Sequence, residues 1–384
     1  MARATLQGYG LNEVTRLQQR ETTMKTSILA RGLGALVVAA GLVLGGGVAG
    51  AQEKLKVGFI YVGPVGDHGW SFRHDQGRLA LEKALGDKVE TTYVENVHEG
   101  PDAERVIQQL VANGNELVFA TSFGFMNAVI KVAKRFPKAK FEHATGYKRA
   151  KNVSTYMARF YEGRYVIGKI AGKMTKSNVI GYIGSFPIPE VVRGIDAFTL
   201  ALRSVNPEAT VKVIWVNSWY DPGKEGDAAK TLIDQGADIL VQHTDSPAAL
   251  QVAQNRGVHA FGQSSDMVAF APKAQLTAIV DNWDGYYIAR AKAVMDGTWK
   301  STDTWGGFAA GMVKMAPYLN MPDDVAALAR ETEVAIRDGK INPFAGPIRD
   351  QSGKLVVKAG DALDDGALLG MNWYVEGVEG SLPK

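Results

Sequence analysis

The chain alternates short apolar segments with amphipathic ones over most of its length, and this pattern constrains its fold more than any other feature. Short apolar runs predict buried strands, while the segments between them have the spacing of amphipathic helices. This order predicts an α/β fold in which a mostly parallel sheet carries helices on both faces. Strands are predicted first at residues 55–62, 89–94, 117–120 and 141–144, with helices at 71–84, 102–113 and 126–136.

The same alternation begins again after a predicted helix at residues 162–174. Two such sets in series predict a two-lobed molecule, and the ligand of such a molecule lies between the carboxyl ends of facing strands. The second set of strands is predicted at residues 179–184, 211–216, 239–242, 259–261 and 276–280.

The two predicted lobes share the chain unequally. We expect residues 52–165 to form the N-terminal lobe, together with a returning segment near 284–305. The C-terminal, ligand-binding lobe is expected at residues 166–283, together with the tail 306–384.

The first 51 residues have the composition of a targeting segment. A cationic start at residues 24–31 precedes the uncharged stretch 32–51, which ends in the small residues Ala49-Gly50-Ala51. This layout predicts a secretory signal at 24–51, behind an upstream extension at 1–23. The alternative is a retained membrane anchor, because twenty uncharged residues can span a bilayer. Seven glycines favour cleavage, and the chain has no cysteine for a lipid anchor, so we predict a free periplasmic protein beginning near Gln52.

Composition and motifs argue against several classes of function. The net charge is only +3, and no basic stripe with interleaved aromatic residues is present, so nucleic-acid binding is not expected. The six histidines include no pair with metal-ligand spacing on one element, and only His68 and His74 lie close together in a loop. No metal and no cofactor are therefore predicted. Common catalytic motifs are also missing, so we do not expect an enzyme.

Two tryptophans lie in loops that follow predicted strands. Trp70 follows the first strand, within residues 63–77, and Trp219 follows a strand of the second lobe, within residues 217–224. Indole rings present flat apolar faces, so one in each lobe suggests two plates that close on a flat molecule. The alternative is that each ring belongs to the core of its own lobe.

Polar residues near the same predicted strand ends are further candidates for ligand contacts. Asp266 follows the strand at 259–261, and Asn127 begins a helix after the loop that holds Phe123. Each is also explained by an ordinary turn or helix start. The remaining candidates for contact with a ligand are Ser71, His74 and His243.

Several of these segments form the motifs of a known family. The first motif is Asp67, then Trp70-Ser71, then Gly77. The chain resembles the basic membrane protein family of ABC-transporter substrate-binding proteins, the PnrA-like proteins, over most of residues 54–343. Matches continue at residues 123–141, 162–176, 180–184, 206–207, 218–221, 236–238 and 265–266.

The resemblance implies a type I periplasmic-binding-protein fold that closes on a purine nucleoside or a related compound. It also implies an ABC permease and its ATPase in the inner membrane as partners. By this resemblance Trp70 and Trp219 stack on the purine base, and Asp266 holds polar groups of the ligand.

Two departures from the family pattern bear on the ligand. Asn127 replaces a frequent aspartate, and an amide both donates and accepts hydrogen bonds, which suits adenine better than guanine. Asp281 stands where the family usually has a lysine, and Trp283 just beyond it can fill the space of a sugar. The sequence therefore favours a purine base, adenine or hypoxanthine, over a nucleoside.

Two other functions remain as alternatives at this point. A ligand sensor for a membrane receptor would need the same cleft. A hydrolase acting on nucleosides would need an acid–base pair or a metal cluster at the strand ends, and neither is readable in the sequence.

Overall fold

The computed structural model describes residues 53–383. The predicted signal at residues 24–51 lies outside this range, as does the upstream extension. Among residues 53–383, no helix is both long enough and apolar enough to cross a membrane. The helices are α1 Gly69–Leu85, α2 Pro101–Ala112, α3 Met126–Arg135, α4 Phe160–Met174, α5 Pro189–Val205, α6 Pro222–Asp234, α7 Ala248–Arg256, α8 Asp284–Met295, α9 Asp323–Arg337 and α10 Asp365–Leu369.

The strands form two large sheets and one small hairpin. The first sheet has the order β11-β5-β4-β3-β1-β2, and all of its pairs are parallel. Its strands are β1 Leu55–Ile60, β2 Val89–Val94, β3 Leu117–Ala120, β4 Lys140–Ala144, β5 Val153–Ala158 and β11 Asp303–Gly306.

The second sheet has the order β12-β10-β9-β8-β6-β7-β15. It is parallel except for β12, which pairs antiparallel with β10 at the edge. The hairpin is β13 Ile348–Arg349 with β14 Leu355–Val357. The strands of the sheet are β6 Val179–Gly184, β7 Thr210–Trp215, β8 Ile239–Gln242, β9 His259–Gly262, β10 Gln275–Asp281, β12 Val313–Met315 and β15 Val378–Glu379. The predicted α/β class is therefore confirmed, with a sheet in each lobe.

The chain passes between the two sheets three times. It leaves the first sheet after β5, returns after β10 to form α8 and β11, and leaves again for β12. The expected lobe boundary at residue 165 lies inside α4, which packs along α5 of the second lobe. We therefore place the boundary at Arg159, just before α4. The strands β5 and β11 were not predicted from the sequence.

The return helix α8 packs closely on α1, which starts at the cleft. The contact is close because Gly77 has no side chain: a Cβ there would lie 2.8 Å from the Tyr287 ring and 3.1 Å from Cβ of Trp283. Both aromatic side chains are fully buried. The packing behind the cleft thus explains why glycine occupies position 77 of the family motif.

We expect Gly77→Ala to lower the free energy of unfolding by about 1–3 kcal/mol, because overpacking forces buried rings out of place. Urea unfolding measures the change. Gly226→Ala is the matched control, since a Cβ there meets only ordinary contacts at 3.9 Å or beyond in helix α6. That variant should be neutral or stabilised by about 0.5–1 kcal/mol. Equal effects at both positions would contradict the packing argument.

Candidate ligand-binding site

A cavity lies between the two lobes, at the carboxyl ends of the central strands. The space between its walls is about 360 Å³ when its opening to solvent is included. Both lobes contribute side chains to it. The lining residues are Val62, Trp70, Ser122, Phe123 and Thr145 from the first lobe, and Glu190, Trp219, His243, Asp245, Gln263 and Ser264 from the second.

Trp70 is held firmly at the start of α1. Its indole Nε1 donates a hydrogen bond to the backbone oxygen of Thr121 at 2.6 Å. The ring packs edge-on against Phe160 at 5.9 Å and against Trp283 at 5.6 Å between centroids. Because the polar edge is bonded and the back is covered, the orientation of the ring is fixed before any ligand arrives.

Trp219 approaches the cavity from the second lobe. Its ring lies 5.0 Å from Phe186 and 6.4 Å from His243. The indole Nε1 is buried, and no other group among the described residues accepts its hydrogen bond. Asp221, just beyond, caps α6 by accepting from the amide of Lys224 at 3.0 Å. The cap fixes the start of the helix, and Nε1 of Trp219 remains a free donor.

The two tryptophan loops meet in a closed arrangement. The amide of Gly69 donates to Oγ of Ser265 at 2.8 Å, across the cleft. Asp245 belongs to the same junction, since its own amide donates to the backbone oxygen of Trp219 at 3.0 Å. A Cβ at Gly69 would lie 2.7 Å from the backbone oxygen of Asp245. The closed cleft therefore requires glycine at this position.

Two acidic residues, Asp245 and Glu190, line the cavity, and the pKa of Asp245 is shifted. Burial raises the pKa of Asp245 well above its ordinary value, and the nearby carboxylates of Glu225 and Asp281 raise it further. The backbone N–H of Trp70 opposes this by lowering the same pKa. Asp245 thus joins both tryptophan loops and presents a carboxyl group to the cavity.

His243 and Glu190 form a polar pair on the second lobe. His243 Nε2 lies 3.6 Å from Oε1 of Glu190. Burial lowers the pKa of His243, although Glu190 raises it in part. A neutral imidazole offers one donor and one acceptor, and its Nδ1 has no partner among residues 53–383. This ring can therefore exchange hydrogen bonds with a ligand.

The amide of Gln263 is oriented by a buried arginine. Oε1 of Gln263 accepts from Nη2 of the fully buried Arg164, and Nε2 donates to Oγ of Ser264 at 3.1 Å. The arginine is not among the lining residues, and its hydrogen bond fixes the Gln263 amide from behind. Gln263 is therefore a fixed polar group rather than a mobile one.

The structure brings four of the residues suggested by the sequence to the cavity: Trp70, Trp219, Phe123 and His243. It places three others in the interior, behind the lining. Ser71 Oγ accepts from the amide of Gly63 at 3.2 Å. His74 is fully buried and stacked on Trp283, with 4.8 Å between ring centroids. His74 thus supports the wall behind Trp70.

Asp281 is also buried, at the end of β10. Neither of its carboxylate oxygens has a normal hydrogen-bond partner in the described part of the chain. Burial raises its pKa well above the ordinary value, and Arg73 opposes the shift more than the nearby Ser264 does. Trp283 is fully buried as well, so it supports Trp70 instead of filling the space of a sugar.

Two expected contact residues lie on the surface, away from the cavity. Asn127 is exposed, and its Oδ1 accepts from Lys148 Nζ at 2.9 Å. Asp266 is exposed, and its Oδ1 accepts from the amide of Val268 at 3.1 Å and from Nε2 of Gln275 at 2.6 Å. A helix start therefore explains the position of Asn127, and a turn explains that of Asp266. Asn127 therefore gives no reason to favour adenine.

Other cavity residues were not suggested by the sequence. Asp245 follows β8 by three residues, so the strand-end rule that suggested Asp266 applies to it equally. Glu190 lies in the first turn of α5, where an acidic side chain is also explained by the helix dipole. Within residues 53–383, no group of three or more His, Cys, Asp or Glu residues is arranged to hold a metal ion.

We expect Gly69→Ala to weaken ligand binding about tenfold or more, because the added Cβ blocks lobe closure against a backbone atom. Gly66→Ala is the matched control: both glycines have positive φ, but a Cβ at Gly66 meets nothing within 4 Å. Calorimetric titration of both variants separates closure from backbone strain. Equal losses at the two positions would contradict a role for the contact between Gly69 and Asp245.

We expect Asp281→Asn to stabilise the protein, and the gain to grow as the pH rises from 4 to 8. The folded-state pKa is raised, so the folded protein binds more protons than the unfolded chain above the unfolded pKa of about 3.9. The parent therefore loses stability as the pH rises through this window, and asparagine has no such loss. Urea unfolding of the parent and of Asp281→Asn at pH 4 and pH 8 measures the free energy of unfolding of each. Affinity should change by less than about threefold; a larger loss would mean that Asp281 contacts the ligand.

Comparison with known proteins identifies the family of the chain. The family model of the PnrA-like ABC transporter substrate-binding proteins matches residues 54–352. A purine-binding protein of Brucella abortus (strain 2308) is 63% identical over 349 residues, covering 91% of this chain and 99% of the relative. A putative ABC transporter glucose-binding protein of Haloferax volcanii is 37% identical, over 88% of this chain and 84% of the relative.

Solved structures share the fold at lower identity. A solute-binding protein of Conexibacter woesei superposes with a TM-score of 0.59 at 21% identity, covering 75% of this chain and 98% of that one. One from Aeropyrum pernix K1 gives 0.64 at 18% identity, covering 76% and 94%. The type I periplasmic-binding-protein fold is therefore confirmed. The chain belongs to the PnrA-like family of ABC transporter substrate-binding proteins, which bind solutes and are not enzymes.

Proposed function

We propose that this protein is the receptor of an ABC importer for a purine base, which it holds between Trp70 and Trp219. The observation that carries the proposal is that these two rings come from different lobes and line one cavity. Stacking on an aromatic side chain is worth about 1–3 kcal/mol per base. The name of the Brucella relative, a purine-binding protein, supports the same class of ligand.

The ligand would act as a bridge between the lobes. A molecule that touches both rings gains its full contact energy only when the cleft is closed, so binding shifts the population toward the closed state. Hinge closure of this kind is common in periplasmic binding proteins. The direct contact of Gly69 with Ser265 would then add to the energy that the ligand supplies.

The polar lining favours a base with N–H donors. Asp245 and Glu190 carry carboxyl groups, and His243 and Trp219 each offer buried nitrogen groups that are free of other partners in residues 53–383. Adenine presents an amino group next to ring acceptors, which such a set can match on both sides. Hypoxanthine presents a ring N–H and a carbonyl, which the same set also satisfies.

The side chains of the second lobe beside the two rings favour a base over a nucleoside. The family's usual lysine is replaced by Asp281, whose side chain is buried behind the lining. The cavity itself has no lysine or arginine among its described lining residues. The lysine that the family pattern would offer to a ribose is therefore missing from this cavity.

The same proposal covers the partners and the location of the protein. An ABC permease and its ATPase in the inner membrane would receive the ligand. Residues 24–51 have the layout of a secretory signal, and we propose that the mature protein works in the periplasm beside the permease.

The proposal is tested by isothermal titration of the parent with adenine, hypoxanthine, guanine, adenosine and glucose. We expect adenine or hypoxanthine to bind at least about tenfold more tightly than adenosine. Binding of glucose alone would contradict the purine proposal and would match the name of the Haloferax relative.

We expect Trp219→Ala to weaken binding of the preferred base by about tenfold or more, because one stacking surface is lost. Trp219→Phe, which keeps an aromatic face, should lose less. Trp373→Ala is the control for the loss of a partly buried tryptophan that does not line the cavity. Parental affinity in Trp219→Ala would refute the stacking role.

A further inference from the structure

A second pocket adjoins the ligand cavity on the side toward the C-terminal tail. The space between its walls is about 760 Å³ when its opening to solvent is included, and it shares three lining residues with the cavity: Phe123, Thr145 and Glu190. Its other walls are mainly apolar, so water gains little from filling it. The apolar walls are formed by Phe123, Tyr147, Met157, Ile188, Pro189 and Leu369.

Specific contacts hold the walls of this pocket in place. Leu369 ends helix α10, and that helix is tied to the lobe boundary by a bidentate ion pair in which Arg159 donates to both oxygens of Asp365, at 2.8 and 2.7 Å. Two of the walls nevertheless remain exposed, with 66% of Tyr147 and 37% of Leu369 accessible to water. Exposed apolar side chains around a concavity indicate a place where another apolar group docks.

Glu190 stands at the junction between the cavity and this pocket. It is only 9% exposed, and its Oε1 faces His243 at 3.6 Å. Its Oε2 is buried and accepts no hydrogen bond from any described residue. A buried carboxylate oxygen without a donor is costly, so a ligand that supplies an N–H at this point is favoured.

The neighbouring arginine does not meet this need. Arg193 Nη2 lies 4.0 Å from Oε2 of Glu190, beyond hydrogen-bonding distance. Its Nη1 donates to the backbone oxygen of Leu368 at 3.3 Å, and its guanidinium lies over the ring of Trp305 at 4.9 Å. These contacts hold the arginine back, so Oε2 remains available to the ligand.

We propose that the preferred ligand is an aminopurine with an apolar substituent on its exocyclic nitrogen. This inference rests on the proposed function. The ring lies between Trp70 and Trp219, the remaining N–H of the secondary amine donates to Oε2 of Glu190, and the substituent enters the second pocket. Because Glu190 lines both the cavity and the second pocket, one nitrogen atom of the ligand would carry both the N–H that donates to Glu190 and the substituent that enters the second pocket.

Isothermal titration with adenine, N6-benzyladenine and 9-benzyladenine tests the position of the substituent. We expect N6-benzyladenine to bind about tenfold or more tightly than adenine, because its ring is buried against apolar walls. The isomer with the same group on N9 should gain nothing. If adenine binds and N6-benzyladenine binds no better, this inference fails and the proposed function stands; if no purine binds, the proposed function itself fails.

A second pair of ligands tests the hydrogen bond. N6-methyladenine keeps the N–H, whereas N6,N6-dimethyladenine has none, and we expect the second to bind about tenfold or more weakly because Oε2 of Glu190 is left without a donor. In Glu190→Gln this difference should shrink to less than about threefold. Equal affinities for the two ligands in the parent would overturn the role of Glu190.

A variant of the pocket wall completes the test. Leu369→Glu places a charge at the exposed wall and should remove the advantage of N6-benzyladenine while leaving adenine within about twofold. The control is Leu355→Glu, at a leucine that is similarly exposed, 42% against 37%, but belongs to the β13–β14 hairpin. Loss of the advantage in the control, or its persistence in Leu369→Glu, would overturn the assignment of the pocket.

Discussion

The cleft depends on the close approach of two backbones, that of Gly69 in the first lobe and that of Asp245 in the second. A Cβ at Gly69 would lie 2.7 Å from the carbonyl oxygen of Asp245, and the Gly69 amide is bonded to Ser265 at 2.8 Å. Each backbone adjoins a tryptophan, because Trp70 follows Gly69 and Trp219 accepts from Asp245. Main-chain contact therefore sets how closely the two tryptophan loops approach each other.

The ring of Trp70 gains its rigidity from packing that reaches back to the return helix α8. Trp283 lies behind Trp70 at 5.6 Å, and His74 stacks on Trp283 at 4.8 Å. The missing side chain of Gly77 lets Tyr287 of α8 lie against α1. His74, which was a candidate for ligand contact, and Gly77, a motif residue, thus lie one layer behind the cavity. They would affect a ligand by fixing the position of the Trp70 ring.

Periodicity predicted the two lobes, but it did not predict every strand or contact. The strand β5, Val153–Ala158, is buried on both faces yet contains Ser154 and Thr155, so its polar side chains hide it from an apolar-run criterion. Strand-end position suggested Asp266, although the same rule applied to Asp245. What separates them is orientation: Asp266 turns back to bond Val268 and Gln275, whereas Asp245 faces the cleft. Sequence spacing alone carries no information about that choice.

The charges around the cavity restrict the ligand further. Glu190 and Asp245 line it, while the buried cation Arg164 lies behind the lining and donates to the amide oxygen of Gln263. No lysine or arginine is among the lining residues in the described part of the chain. A phosphorylated purine would bring negative charge into a cavity whose described lining holds acidic side chains and no lysine or arginine to neutralise it. We therefore propose that the cavity selects neutral, hydrogen-bond-donating heterocycles over nucleotides, even though the stacking surfaces would suit both.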